Sequence, residues 1–191
     1  MTVTAVLTVV ARDRPGIVRS VAAAVAAEDG NWIDSSLARL GGEFAGIVRV
    51  EVARARLSGL EARLARLAHE GVQVSVRTTG RSAPTGRRAR LSLTSVDQPG
   101  IVHEISDVLA RLAISIERFD SKVEPGSMSG APLFVATADL VLPPDLPLLT
   151  AQDAIEALAG DLMADLVLKT DDAPSAGMPV AGIAPRVEPV G

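Results

Sequence analysis

The sequence contains no cysteine and no tyrosine, and only one tryptophan, three phenylalanines and two histidines in 191 residues. Without cysteine there is no disulfide, thiolate nucleophile, iron–sulfur cluster or cysteine-ligated zinc site. The four aromatic side chains, Trp32, Phe44, Phe119 and Phe134, make no stacking platform for single-stranded nucleic acid. No apolar run reaches the roughly 18 residues that a membrane helix needs, so no membrane association is expected. The opening MTVTAVLTVVARD has no basic stretch before its apolar residues and reads as a strand rather than a secretion signal. A cytoplasmic location is expected. Hydrophobic residues are abundant, at 48%, which is enough for one large or two small cores.

The net charge of −4 hides an asymmetry. Residues 1–79 carry ten basic and eight acidic side chains, and residues 80–90 add four arginines. Residues 91–170 carry four basic against twelve acidic side chains, and residues 171–191 one against three. Four arginines in a linker beside an acidic domain make a poor phosphate footprint, so direct nucleic-acid binding is not expected.

The chain repeats itself. At a shift of 84 positions ARDRPGIV lies over SVDQPGIV, so that Asp13, Pro15, Gly16, Ile17 and Val18 meet Asp97, Pro99, Gly100, Ile101 and Val102. Leu7 and Val9 meet Leu91 and Leu93, alternating with Thr or Ser as a half-buried strand does. Ile17, Val21 and Val25, like Ile101, Ile105, Leu109 and Leu112, recur at helical spacing. A hairpin follows through Gly41-Gly42, and its return strand places Phe44, Gly46, Val48, Val50 and Val52 on one face. Phe134, Ala136, Ala138, Leu140 and Leu142 reproduce that face after the longer EPGSMSGAP loop, expected to be mobile.

Each copy closes with a helix and a strand. Ser58-Gly-Leu-Glu61 matches a capping box ahead of Leu60, Leu64 and Leu67, and Thr150-Ala-Gln-Asp153 opens the matching helix of Ile155, Leu158 and Leu162. Val72, Val74 and Val76 form the last strand of the first copy, answered by Leu166 and Leu168. The expected fold is α+β: two ferredoxin-like β-α-β-β-α-β domains in tandem, each an antiparallel sheet with helices on one face. The domains are expected at 1–79 and 89–170, with a linker at 80–88 and a poorly ordered tail at 171–191.

At the repeated turn a strand ending at Asp13 passes into a helix expected to begin near Pro15, where a missing N–H costs nothing. Asp13 is placed to accept a hydrogen bond from the first-turn amides. Gly16 has no side chain, so a ligand can approach those amides, which sit at the positive end of the helix dipole. The chemistry is that of a small anion site fitted to an amino acid's α-carboxylate. A plain strand-to-helix corner uses the same residues.

The run D-R-P-G-I-V, a helix, then G-N-W-I-D-S-S-L-A-R-L-G-G-E-F resembles tandem ACT-domain proteins. It resembles more closely the glycine cleavage system transcriptional repressor family, in which N-x-x-D-S-x-L-x-x-L-G-x-E-F follows the first helix. The resemblance covers residues 1–170 in architecture, and its specific motif lies within 11–44. It implies amino-acid binding where two modules pack, with amides from the strand-to-helix turn of one module and an asparagine from the next strand's start, often in the paired module. Carried over, Asp13, Pro15, Gly16, Ile17 and Asn31 form a ligand-binding element. Asn31 both donates and accepts hydrogen bonds, though an Asn after Gly30 is also an ordinary turn residue. Asp34, Ser35 and Glu43 match the family pattern and equally suit strand surface or interface. The second copy keeps Asp97, Gly100 and Ile101 but has Ser115 for Asn31 and Ile114 for Gly30, so its site is expected to differ or be empty.

Nothing points to catalysis or calls for a cofactor. His69, at the end of the second helix, and His103, in the place of Arg19, read as solvated helix residues. Asp153 with Glu156, and Asp161 with Asp165, read as helix-surface pairs. The resemblance implies an amino-acid-responsive regulator of glycine or one-carbon metabolism, with glycine or serine as ligand, acting on a transcription-regulator protein rather than on DNA. A non-sensing ACT interaction module and an accessory subunit of an amino-acid enzyme are the alternatives. Open sheet edges suit either a monomer whose two units pair or a homodimer, of which the homodimer is the expectation.

Overall fold

The computed structural model describes residues 1–78, 80, 85–126 and 130–170. The tail expected to be poorly ordered, part of the expected linker and part of the EPGSMSGAP loop lie outside these residues. The chain divides into two compact units, Met1–Ala83 and Pro84–Gly191.

In the first unit, strand β1 (Thr2–Arg12), helix α1 (Ile17–Ala26), strands β2 (Asn31–Leu40) and β3 (Glu43–Ala53), helix α2 (Leu57–Arg66) and strand β4 (Val72–Thr78) follow in order. The second unit repeats the series as β5 (Arg87–Val96), α3 (Ile101–Arg111), β6 (Ser115–Glu124), β7 (Leu133–Leu142), α4 (Leu148–Leu162) and β8 (Asp165–Thr170). The sheets run β2-β3-β1-β4 and β6-β7-β5-β8, and every pairing is antiparallel. This is the expected tandem ferredoxin-like α+β architecture.

Alternation places one face of each sheet under the helices. Ala5, Leu7, Val9 and Ala11 of β1 and Val48, Val50 and Val52 of β3 are buried against Ile17, Val21 and Val25 of α1 and Leu60 and Leu64 of α2. The second unit has its own cluster, in which Leu91, Leu93 and Leu140 meet Ile105, Leu109, Ile155 and Leu158. Each fully buried leucine contributes about 1.5–3 kcal/mol of transfer free energy. Gly41 and Gly42 both have positive φ, 59° and 86°, which the two-residue β2–β3 turn requires. Edge strands β2 and β6 carry an irregularity at the same place, between Trp32 and Asp34 in β2 and between Ile116 and Arg118 in β6.

The helix starts differ from expectation. A short 3-10 turn, Arg54–Arg56, delivers the chain into α2 at Leu57, so Ser58 is already helical and no side chain caps the helix. Helix α4 begins at Leu148 after Pro147, ahead of Thr150, again without a side-chain cap. Asp165 opens β8 instead of closing the helix beside Asp161.

Candidate functional site

The repeated turn has one conformation in both units. Helix α1 begins at Ile17, not near Pro15, and its N-cap is Gly16 at φ 98°, ψ −5°; Gly100 caps α3 at φ 101°, ψ −14°. Only glycine reaches such a φ without strain, which explains the repeated residue. A Cβ at position 16 would meet nothing within 4 Å, so the turn is open to solvent at that point.

Asp13 does not cap the helix. Its backbone N–H donates to the Gly42 carbonyl at 2.9 Å, and its carboxylate accepts from Arg39 at 3.3 Å. Arg14 turns back to donate to the Glu70 carbonyl at 2.9 Å, with the Glu70 carboxylate 3.7 Å away. These exposed pairs contribute little to stability, since such bridges are worth about 0–1 kcal/mol. Their effect is local potential. Arg12, Arg14 and Arg39 stand around the turn against Asp13, Glu43 and Glu70, so three guanidinium groups lie beside the positive end of the helix dipole in a charge-balanced setting.

The second turn lacks those arginines. Val96, Gln98 and Val123 stand where the first unit has Arg12, Arg14 and Arg39. Glu104 lies in the first turn of α3, its Oε1 3.8 Å from where a Gly100 Cβ would stand, whereas α1 has no acidic residue in its first turn. Glu104 thus brings a carboxylate beside the turn, without capping the helix. Glu104 takes the position that Ser20 has in the first repeat, a contrast visible in the sequence but legible only once both turns are compared for charge.

The expected residues do not all come together within one unit. Asp13, Pro15, Gly16 and Ile17 share the turn at the end of β1. Asn31, exposed at the start of β2, pairs with Glu51, which pairs with Thr4 at the other end of β1. From Thr4 to Asp13 the strand spans about 30 Å. Ser115 stands equally far from its own turn, because it pairs with Val141, the partner of Arg88. A ligand touching both a turn and an Asn31 needs a second module of this kind.

Asp34 is committed to structure. It accepts two hydrogen bonds from Arg49 across the strands, at 3.0 and 2.5 Å. At the same register the second unit reverses the signs, Arg118 opposite Asp139. There Asp139 accepts from Arg90 at 2.8 Å, and Arg118 donates to Asp120 at 2.6 Å, a bond that raises the Arg118 pKa above its usual value. Among the described residues no group of three His, Asp or Glu side chains is placed to hold a metal ion, and no helix is long and apolar enough to cross a membrane.

Residues 4–77 match the family model of the ACT domain. No curated protein sequence matches the chain. Among solved structures, the chain is similar to an unknown protein from Galdieria sulphuraria at 28% identity and a TM-score of 0.74, over 90% of this chain and 99% of that one. It is also similar to a protein with the provisional name glycine cleavage system transcriptional repressor, at 21% identity and a TM-score of 0.68, over 90% of this chain and 98% of that one. The first unit thus carries the ACT-domain match, and the second unit repeats its topology in a fold shared along the chain with these structures.

Proposed function

We propose that the protein is an amino-acid-responsive regulator whose first turn seats the α-carboxylate of glycine or serine, and that it works through a protein partner without catalysis or direct DNA contact. The observation that carries this is the contrast between the two turns. They share backbone geometry, but the first has three arginines beside it where the second has none, and only the second carries a glutamate, Glu104, in the first turn of its helix. An anion at a helix N-terminus gains about 0.3–1 kcal/mol from the dipole alone, and neighbouring guanidinium groups add to it. The resemblance of residues 11–44 to the glycine cleavage repressor family, and the fold shared with a protein bearing that provisional name, support glycine and one-carbon metabolism as the setting. A switch of this kind requires the amino acid to bind the free and partner-bound forms with different affinity.

The distance between the first turn and Asn31 leads us to place the ligand in a homodimer, with Asn31 reaching it from a second copy. Titration calorimetry with glycine and with serine tests this. Saturable heat is expected for the wild type, with about tenfold weaker binding for Asn31→Ala and for Gly16→Val. Mixing those two variants then regenerates one intact turn–Asn31 combination per mixed dimer and restores part of the binding. Absence of heat from both amino acids contradicts the sensor; absence of restoration contradicts assembly from two copies.

A further inference from the structure

The helical layers of the two units follow one plan, but one is closed and the other open. In the first unit Glu28 lies across the groove between α1 and α2, with only 12% of its side chain exposed. It accepts a hydrogen bond from Arg63 Nε at 2.6 Å and lies 4.0 Å from Arg56. Gly59 makes room for it, because a Cβ there would stand 2.7 Å from Glu28 Oε2.

The buried positions Leu60, Leu64 and Leu67 of the first unit correspond to Ala151, Ile155 and Leu158 of the second. On that correspondence, and on the 84-residue repeat of α1 and α3, Glu28 becomes Leu112, Arg63 becomes Ala154 and Gly59 becomes Thr150. All three partners of the closure have changed together. What remains between α3 and α4 is a groove of about 550 Å³. Its floor is apolar: Val108 and Leu112 pack partly buried on the core, beside Ala154 and Ala157. Its rim is acidic, formed by Glu104, Asp107 and Asp161. The one arginine at the groove, Arg111, is held by Asp107 at 3.2 Å, which leaves Glu104 and Asp161 uncompensated.

We propose that the α3–α4 groove docks a basic amphipathic helix of a protein partner, with an apolar side chain between Leu112 and Ala154 and Lys or Arg residues against Glu104 and Asp161. The apolar floor supplies the burial that anchors such a helix, and the acidic rim supplies steering and register. The assignment rests on the partner-mediated reading above and names its surface. The second unit, whose turn carries its own carboxylate, would then be the interaction module.

The test is fluorescence anisotropy with the full chain and a labelled Leu/Lys model helix of about 18 residues, beside a Leu/Glu helix of the same pattern. The Leu/Lys helix is expected to bind, the Leu/Glu helix not. Two variants fill the groove: Leu112→Glu/Ala154→Arg/Thr150→Gly, which rebuilds the closure of the first unit, and Ala157→Arg at an exposed position. Each is expected to weaken Leu/Lys binding about tenfold while leaving glycine binding unchanged.

Peptide binding that survives filling, or that responds only to Glu104→Gln/Asp161→Asn, reflects bulk charge and overturns the proposal. So does a shift from dimer to monomer in sedimentation on filling, which makes the groove a self-interface. A tenfold gain in peptide affinity on removal of residues 171–191 overturns it as well, by making the tail the occupant. Failure of the peptide with glycine binding intact removes only the groove assignment; failure of glycine removes the regulatory reading.

Discussion

Gly16 and Gly100 provide a matched pair of perturbations. Their φ angles, 98° and 101°, lie in a region that residues with a Cβ avoid. A methyl group at position 16 would meet nothing within 4 Å, and one at position 100 would meet only Glu104 Oε1, at 3.8 Å. The cost of Gly→Ala at either site is therefore backbone strain alone, about 1–2 kcal/mol. Each unit has its own core, so the loss falls on one domain of roughly 80 residues, where 1 kcal/mol shifts Tm by about 4–8 °C. Scanning calorimetry should show similar destabilisation of one transition in each variant. Their ligand behaviour should diverge. Gly16→Ala places a methyl group at the first turn and weakens glycine binding, whereas Gly100→Ala changes a turn that lacks the arginines and has Glu104 beside it, and leaves binding intact. Equal Tm with the wild type would refute the left-handed turn. Equal loss of glycine affinity in both variants would refute the functional asymmetry.

Among the described residues Ser95 has a buried hydroxyl without a partner, at the position where the first unit has Ala11, so Ser95→Ala is expected to raise stability by about 1 kcal/mol in urea unfolding. Gly46 sits where a Cβ would stand 2.7 Å from the Leu37 Cα and closer still to the Ser36 carbonyl. Gly46→Ala must therefore push β2 away from β3 and should cost about 2 kcal/mol or more by the same measurement, although the equivalent Ala136 is accommodated in the second unit. Leu60 is wholly buried, and Leu60→Ala should cost roughly 2–5 kcal/mol and lower only the transition of the first unit.

The fold was legible because its signals are periodic and duplicated. Leu7 and Val9 over Leu91 and Leu93 mark the strands, and Gly41-Gly42 marks a hairpin that only positive φ can close. Helix starts were less legible. Ser58 and Glu61 have capping-box spacing, but the 3-10 turn at Arg54–Arg56 starts the helix one residue before Ser58, and the spacing alone carries no information on chain entry. Asp13 has capping chemistry, yet Arg39, 26 residues on, takes its carboxylate, a contact that depends on how β2 folds back. The same holds for Asn31. Its residue type fits the ligand, but only the strand register shows that it stands at the far end of the sheet from its own turn. The open groove beside Leu112 and Ala154 was likewise hidden, because it arises from the loss of an ion pair that exists only in three dimensions.

Binding stoichiometry tests the asymmetry of the two turns most directly. Equilibrium dialysis of the wild type against radiolabelled glycine, and separately serine, counts the occupied sites per chain. One site per chain for at least one of the two amino acids, lost in Asn31→Ala and retained in Ser115→Ala, is the expected result. Two equivalent sites per chain, or none for either amino acid, would contradict it.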